Sequence, residues 1–435
     1  MLGPIRRLPL EAAVEVALPV TIVFFAFGSS SSSVLLRVGG PGRWVALAVL
    51  GALAFAVVVA RDAILPVSSA WLLALGFAVL AFESAAWSVD ARLTLERGAT
   101  LAVLFVAAFV LAREPVVVLR AVLWGAAAVA VLSLVVLVVA RHDAVLSATA
   151  GTGWRFRGLG TNPNTVPMLL APALPLALWA VLTWRGALRW LGGVLFLLFA
   201  GELAVSGSRG AIVAGFGGAA ATALVVGRSP RAKVALVAAL TILAVACFAI
   251  GKLPSPVEEA PATAATTPVA KTRGVDAEQV FRLQDEIGFP FRGAYRPPVP
   301  RTFLGSSGRA QAWEGSLEQS EQRPVAGYGF GTENEVFVDR FYGFEGDFVE
   351  NTYVGLFLQL GIAGVAVFVA LLVSLARAFA RARRSNPAAA AGGALVAAVL
   401  IGMTQTGLLS VGNIAAVAIW TCVLTLPVFA HEAAA

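Results

Sequence analysis

Cysteine, histidine and charge are all scarce in this chain. Its two cysteines, Cys247 and Cys422, lie inside apolar runs, which leaves no room for a disulfide framework or a thiolate metal cluster. His142 and His431 are the only histidines and are far apart in sequence, which argues against catalysis built on several imidazoles. Charged residues make up 13% of 435 positions, against about 25% in a soluble domain. That excludes an ordinary cytoplasmic enzyme. No P-loop and no His-Glu-x-x-His is present. Neither Ser208 nor Ser307 matches the Gly-x-Ser-x-Gly elbow of serine hydrolases. No internal repeat is evident, nor is there a pair of broken helices of the kind that marks a secondary transporter.

Apolar length is abundant. Hydrophobic residues reach 59% and mean hydropathy is +0.84. A spanning helix needs about 20 mostly apolar residues, and runs of that kind fall at roughly 12–28, 44–60, 64–82, 98–112, 116–140, 163–182, 188–206, 210–226, 232–250, 348–376, 389–408 and 411–430. The alternation of an outer-membrane barrel is absent. The expected fold is all-α: a polytopic membrane bundle of about twelve helices, with a long extracytoplasmic helical loop, 251–347, between the ninth and tenth. Glu11 and Glu15 interrupt the first apolar stretch, so it reads as a membrane helix rather than a cleaved leader.

The net charge is +7. Basic loops on a cytoplasmic face account for it, and nucleic acid is not expected as a partner. With the N-terminus inside, 14 basic residues fall in cytoplasmic segments, 8 in short outside loops and 10 in the long loop. The excess predicts that both termini are cytoplasmic. Within the long loop, 254–270 reads as a flexible arm. Val280, Leu283 and Ile287 recur at helical spacing, and a further helix begins near Ser307 with Ala310, Trp313 and Leu317 as its apolar stripe.

Several residues could carry chemistry. Arg209 is pinned between two apolar helices beside small neighbours, Gly207, Ser208 and Gly210. Its planar fork of donors suits a diphosphate. Arg309 lies in the first turn of a loop helix, where backbone N–H groups also favour an anion. Glu350 stands where the loop re-enters the membrane, followed by Asn351 and Tyr353. It can serve as a general base or as a salt-bridge partner of either arginine. Glu202, two turns before Arg209 on the same face, is the most interior acidic residue, and structural pairing is its default role. Arg155, Arg157 and Asn164 flank a proline-rich helix start.

In order along the chain, Trp87-Ser88-Val89-Asp90, Gly158-Leu159-Gly160-Thr161-Asn162-Pro163-Asn164, Ser208-Arg209-Gly210-Ala211, Arg309 with Trp313, Pro324 to Gly331, and Asn351-Thr352-Tyr353 with Leu360-Gly361-Ile362-Ala363-Gly364 resemble motifs of the O-antigen ligase / O-antigen polymerase superfamily of bacterial membrane glycosyltransferases. The likeness is strongest over 195–372. It divides the chain into N-terminal transmembrane helices (1–194), a ligase-like domain (195–372) and C-terminal helices (373–435). The resemblance implies a location in the bacterial cytoplasmic membrane and a polyprenyl-diphosphate-linked glycan as donor. It implies a glycan or lipid acceptor, and membrane lipid as surroundings. By the resemblance, Arg209 and Arg309 hold the donor diphosphate and Glu350 stands where the family has a histidine for the acceptor hydroxyl. Arg155, Arg157, Asn164, Asn351 and Tyr353 are the candidate substrate-binding residues. No metal or cofactor is required, because the arginines supply the positive charge. Polymerase and ligase share these motifs. A different class, a transporter or flippase of a lipid-linked or anionic solute, would need ionisable residues at mid-membrane.

Overall fold

The computed structural model describes residues 10–60, 67–146, 154–227, 229–251, 309–337, 348–382 and 385–434. The expected arm at 254–270 and the helical spacing at Val280–Ile287 lie outside the described residues.

The chain is a polytopic helical membrane bundle. In order it forms α1 (Leu10–Gly28), α2 (Ser33–Ala60), α3 (Ser69–Glu83), α4 (Ala91–Leu111), α5 (Pro115–Val139), α6 (Arg141–Ala144), α7 (Thr165–Thr183), α8 (Ala187–Ser206), α9 (Arg209–Val226) and α10 (Pro230–Ile250). After these come α11 (Arg309–Ser320), α12 (Glu333–Val336), α13 (Thr352–Ala382), α14 (Asn386–Gly402), α15 (Ile414–Val423) and α16 (Leu426–Glu432). A two-residue ribbon, β1 (Val145–Leu146) against β2 (Arg155–Phe156), and an isolated bridge between Ser30 and Gly160 depart from an all-α fold among the described residues. Among the described residues, ten helical stretches are long and apolar enough to cross a membrane, and Ala12–Gly28 and Asn386–Gly402 are shorter apolar helices.

Helices that are apolar on every side divide by burial. The α7 span and the α15–α16 span are almost wholly buried, whereas α10 is mostly exposed. On the outer helices large apolar side chains face outward, among them Phe55, Val138, Ile242 and Val245. A lipid environment explains an exposed apolar surface of that extent.

The second helix starts at Ser33, well before the expected 44. Two of the glycines that look like helix breakers are close-packing residues instead. A Cβ on Gly39 would stand 2.2 Å from the Phe27–Gly28 backbone, and one on Gly42 would stand 2.5 Å from the Phe24 ring. Contact with α1 therefore holds the polar N-terminal third of α2 helical.

One end of the bundle gathers the connections at 28–33, 83–91, 140–146, 154–164, 206–209 and 402–414. Contacts across long sequence separations tie them together. Thr161 N–H donates to Ser29 O at 2.9 Å, Arg155 Nε to Ser206 O at 2.7 Å and Asn351 Nδ2 to Met403 O at 3.2 Å. Helices α11 and α12 cap this end. Trp313 Nε1 donates to Val349 O at 3.0 Å, and Ala312, Tyr328, Val336, Phe337, Val349 and Leu358 form a small second core. The buried face of α11 differs from the expected stripe: Leu317 is 42% exposed, while Ala312, Ser316 and Gln319 are buried. Gln319 is buried on that face because its Nε2 bonds to Val336 O in the cap.

Candidate functional site

The site is built around a break in α13. Gly361 has φ +59 and ψ −160, separating helical residues 352–360 from 362–382. The segment Pro324–Gly331 runs into the break and takes up the freed backbone groups. Tyr328 N–H donates to Leu358 O at 3.1 Å, Gly329 N–H to Gln359 O at 2.8 Å, and Ile362 N–H to Pro324 O at 2.8 Å. A Cβ on Gly361 would lie 2.4 Å from the Val325 carbonyl, so both the left-handed φ and the close approach require glycine there. The Trp87–Asp90 segment docks on the same strip. Trp87 Nε1 donates to Ala326 O at 2.8 Å, and Val89 N–H to Tyr328 O at 3.0 Å. Three of the ordered sequence motifs thus meet in one packing unit.

At its edge stands Glu350, the only non-glycine residue at positive φ among the described residues (φ +51). Such a conformation costs of order 1–3 kcal/mol and persists only where its surroundings fix it. Here they do. Arg309 reaches Glu350 Oε2 through Nη2 at 2.5 Å and Nε at 3.2 Å, and Gln405 Nε2 donates to the same oxygen at 3.2 Å. Both side chains of the ion pair are about one-fifth exposed. Of the two arginines expected as possible partners of Glu350, it is Arg309 that pairs with it. The pair closes through one oxygen rather than as a two-oxygen fork. Among the described residues, Oε1 takes no hydrogen bond.

Arg209 opens α9 close by. A Cβ on Gly210 would strike Thr404 Oγ1 at 2.2 Å, which seats the start of α9 on the 403–405 segment that also holds Glu350. The Arg309 and Arg209 charges are close enough to act on each other. Nearby, Arg155 Nη2 donates to Asn164 Oδ1 at 3.2 Å. Arg157 is turned away onto the carbonyls of Asp143 and His142, at 2.8 and 2.9 Å. Asn351 and Tyr353 spend their polar groups inside the fold: Asn351 Oδ1 accepts from Tyr353 N–H at 3.0 Å, and Tyr353 Oη donates to Val399 O at 2.8 Å. No family model and no curated protein matches this chain.

Sequence reasoning overlooks three partners here. One is Gln405. A second is Glu333, 4% exposed, whose Oε1 accepts from Val349 N–H at 2.7 Å and whose Oε2 accepts from Gln359 Nε2 at 3.1 Å. Burial pushes its carboxyl up to about 8, against the Val349 N–H bond and the Arg97 charge, with the Glu350 charge adding to the rise. The third is Arg97, bonded to Gly331 O and, at 3.2 Å, to Asn334 Oδ1. Glu202 also departs from expectation. It is buried at 4%, and neither carboxylate oxygen has a partner among the described residues.

Proposed function

We propose that the protein is a membrane glycosyltransferase that moves a glycan from a polyprenyl-diphosphate carrier to an acceptor hydroxyl, as a ligase or polymerase of surface polysaccharide. In this reading about twelve helices span the bacterial cytoplasmic membrane, both termini are cytoplasmic, and the 251–347 loop caps the outer face. The observation that carries the reading is the convergence of Arg209, Arg309 and a strained, tethered Glu350 at one end of the bundle. The ordered motif resemblance supports it.

In the reaction, the bond from the sugar anomeric carbon to the diphosphate oxygen breaks, and polyprenyl diphosphate leaves. The acceptor oxygen bonds to that carbon, and the hydroxyl proton passes to Glu350 and then to water. Arg209 and Arg309 stabilise negative charge as it develops on the leaving diphosphate. Three donors on Oε2 fix the carboxylate plane and leave Oε1 for the acceptor hydroxyl. Such fixed geometry is what positional catalysis needs. Purified protein incubated with a lipid-diphosphate oligosaccharide should yield longer or acceptor-linked glycan; an unchanged oligosaccharide would overturn the reading.

The buried, unpartnered Glu202 favours a second reading, transport of a lipid-linked or anionic solute, because an intramembrane carboxyl of this kind commonly marks a solute or proton path.

A further inference from the structure

Both chain neighbours of Glu350, the residue at φ +51, are anchored. Val349 is fully buried in the small second core. Apolar packing places its side chain but does not set how its peptides are rotated; two hydrogen bonds do. Its N–H donates to Glu333 Oε1 at 2.7 Å, and its carbonyl accepts from Trp313 Nε1 at 3.0 Å. On the other side Asn351 caps α13. Its Oδ1 accepts from Tyr353 and Val354 N–H at 3.0 and 3.2 Å, and its Nδ2 donates to Met403 O at 3.2 Å. Left-handed backbone at a non-glycine residue persists where its flanks are fixed in this way.

Glu333 ties this bend to the rest of the site. Its Oε2 accepts from Gln359 Nε2 at 3.1 Å, and Gln359 Oε1 accepts from Gly331 N–H at 2.6 Å. One carboxyl therefore joins three segments: the Pro324–Gly331 strip, the helical turn before the Gly361 break, and the residue before Glu350. The fold makes room for it. A Cβ on Gly355, in the first turn of α13, would stand 2.8 Å from Glu333 Oε2 and 3.0 Å from the carboxyl carbon. A carboxyl so closely seated, and 4% exposed, has little freedom to move. Without it the buried Val349 N–H has no acceptor and must turn to find one. The Glu333 and Glu350 charges also act on each other, so the two carboxyls are neighbours in space as well as along this chain of bonds.

We propose that Glu333 is a positioning residue for the transfer reaction: by holding the Val349 peptide it keeps Glu350 in its left-handed bend, with Oε2 on Arg309 and Gln405 and Oε1 open to the acceptor hydroxyl. The proposal rests on the transferase reading. Glu333 does not meet the substrate; it acts through Val349.

Two readouts on the full-length protein test it: turnover of a lipid-diphosphate oligosaccharide, and amide hydrogen exchange at Val349 resolved by mass spectrometry. Glu333→Ala should speed exchange at Val349. Its kcat and kcat/KM should fall together, at least roughly tenfold and toward the roughly 10²-fold that a small misplacement can cost. Uptake of undecaprenyl diphosphate should be unchanged, because Arg209 and Arg309 remain, and that measurement counts the folded protein. Gly355→Ala leaves every polar group in place and crowds the carboxyl off Val349. It should give the same pair of effects, and it decides the matter if Glu333→Ala aggregates. Glu333→Gln/Gln359→Glu exchanges the two side chains and keeps all three bonds, so it should restore both the protection and most of the turnover. Normal turnover in a variant whose Val349 amide exchanges fast would overturn the proposal. So would unchanged protection in both Glu333→Ala and Gly355→Ala, or an exchanged pair that recovers protection without turnover. If the wild type itself turns over nothing, the transferase reading falls, and exchange at Val349 alone decides whether Glu333 anchors the bend.

Discussion

Replacing Glu333 by glutamine should flatten a pH dependence of stability that the wild type carries. The carboxyl is buried, bonded to Val349 N–H and Gln359, and pushed from its usual 4.5 to about 8. Between those two values the folded protein keeps a proton that the unfolded chain has released. The stabilisation is therefore complete below about pH 4.5, falls as pH rises through the window, and is gone above about 8. At roughly 1.4 kcal/mol per pH unit the whole window is worth about 5 kcal/mol. About 3 kcal/mol of this lies between pH 6 and the plateau. Glutamine keeps the shape and an acceptor for Val349 N–H, and because Gly331 N–H holds Gln359 Oε1, the introduced amide N–H₂ faces Gln359 Nε2 at a cost that does not change with pH. Thermal unfolding in detergent, followed at pH 6, 7, 8 and 9, reads the effect. The midpoint of the wild type should fall by several degrees relative to Glu333→Gln between pH 6 and 8, with no further divergence at pH 9. Parallel curves over the whole range would show that Glu333 does not hold its proton in the fold.

Three further outcomes are expected. Glu350→Gln should leave lipid-donor binding intact and lower turnover roughly 10²–10⁴-fold, the scale of a positioned acid–base group. Glu350→His should keep part of the activity, and normal turnover in Glu350→Gln would reduce Glu350 to a tether for Arg309. Single cysteines at Ser255 and Ser385, treated on intact cells with an impermeant thiol reagent, should label at the first and not the second; the reverse pattern would invert the orientation. Gly361→Ala should destabilise the protein by at least about 1 kcal/mol, through the left-handed φ and the contact with the Val325 carbonyl. A melting temperature equal to the wild type would refute that account of the α13 break.

The helices are legible because apolar length is a local property. Each of the twelve apolar runs coincides at least in part with helix, and the marked boundary miss, at Ser33, comes from Gly39 and Gly42, whose role depends on α1. Arg209 and Glu350 stand out because each sits at an abrupt junction of polar and apolar sequence, and Arg309 because it opens a loop helix. Their pairing is not written locally: Arg309 meets Glu350 across 41 positions and Gln405 meets it across 55. Arg97 and Asn334 meet across 237, so nothing near Arg97 distinguishes it from a helix-end charge. Glu333 looks like a solvated loop carboxyl until the cap closes over it. The α11 stripe fails for the same reason, since a buried face lined with Ser316 and Gln319 carries no apolar period.

Proteoliposomes loaded with a lipid-diphosphate oligosaccharide and an acceptor glycan test the central claim most directly, by following bond formation and carrier release in one sample. The transferase account predicts one polyprenyl diphosphate released for each new glycosidic linkage, with both products lost in Arg209→Gln/Arg309→Gln. Movement of the intact lipid-linked oligosaccharide across the bilayer, with no new linkage and no free polyprenyl diphosphate, would contradict it and favour the transport reading raised by Glu202.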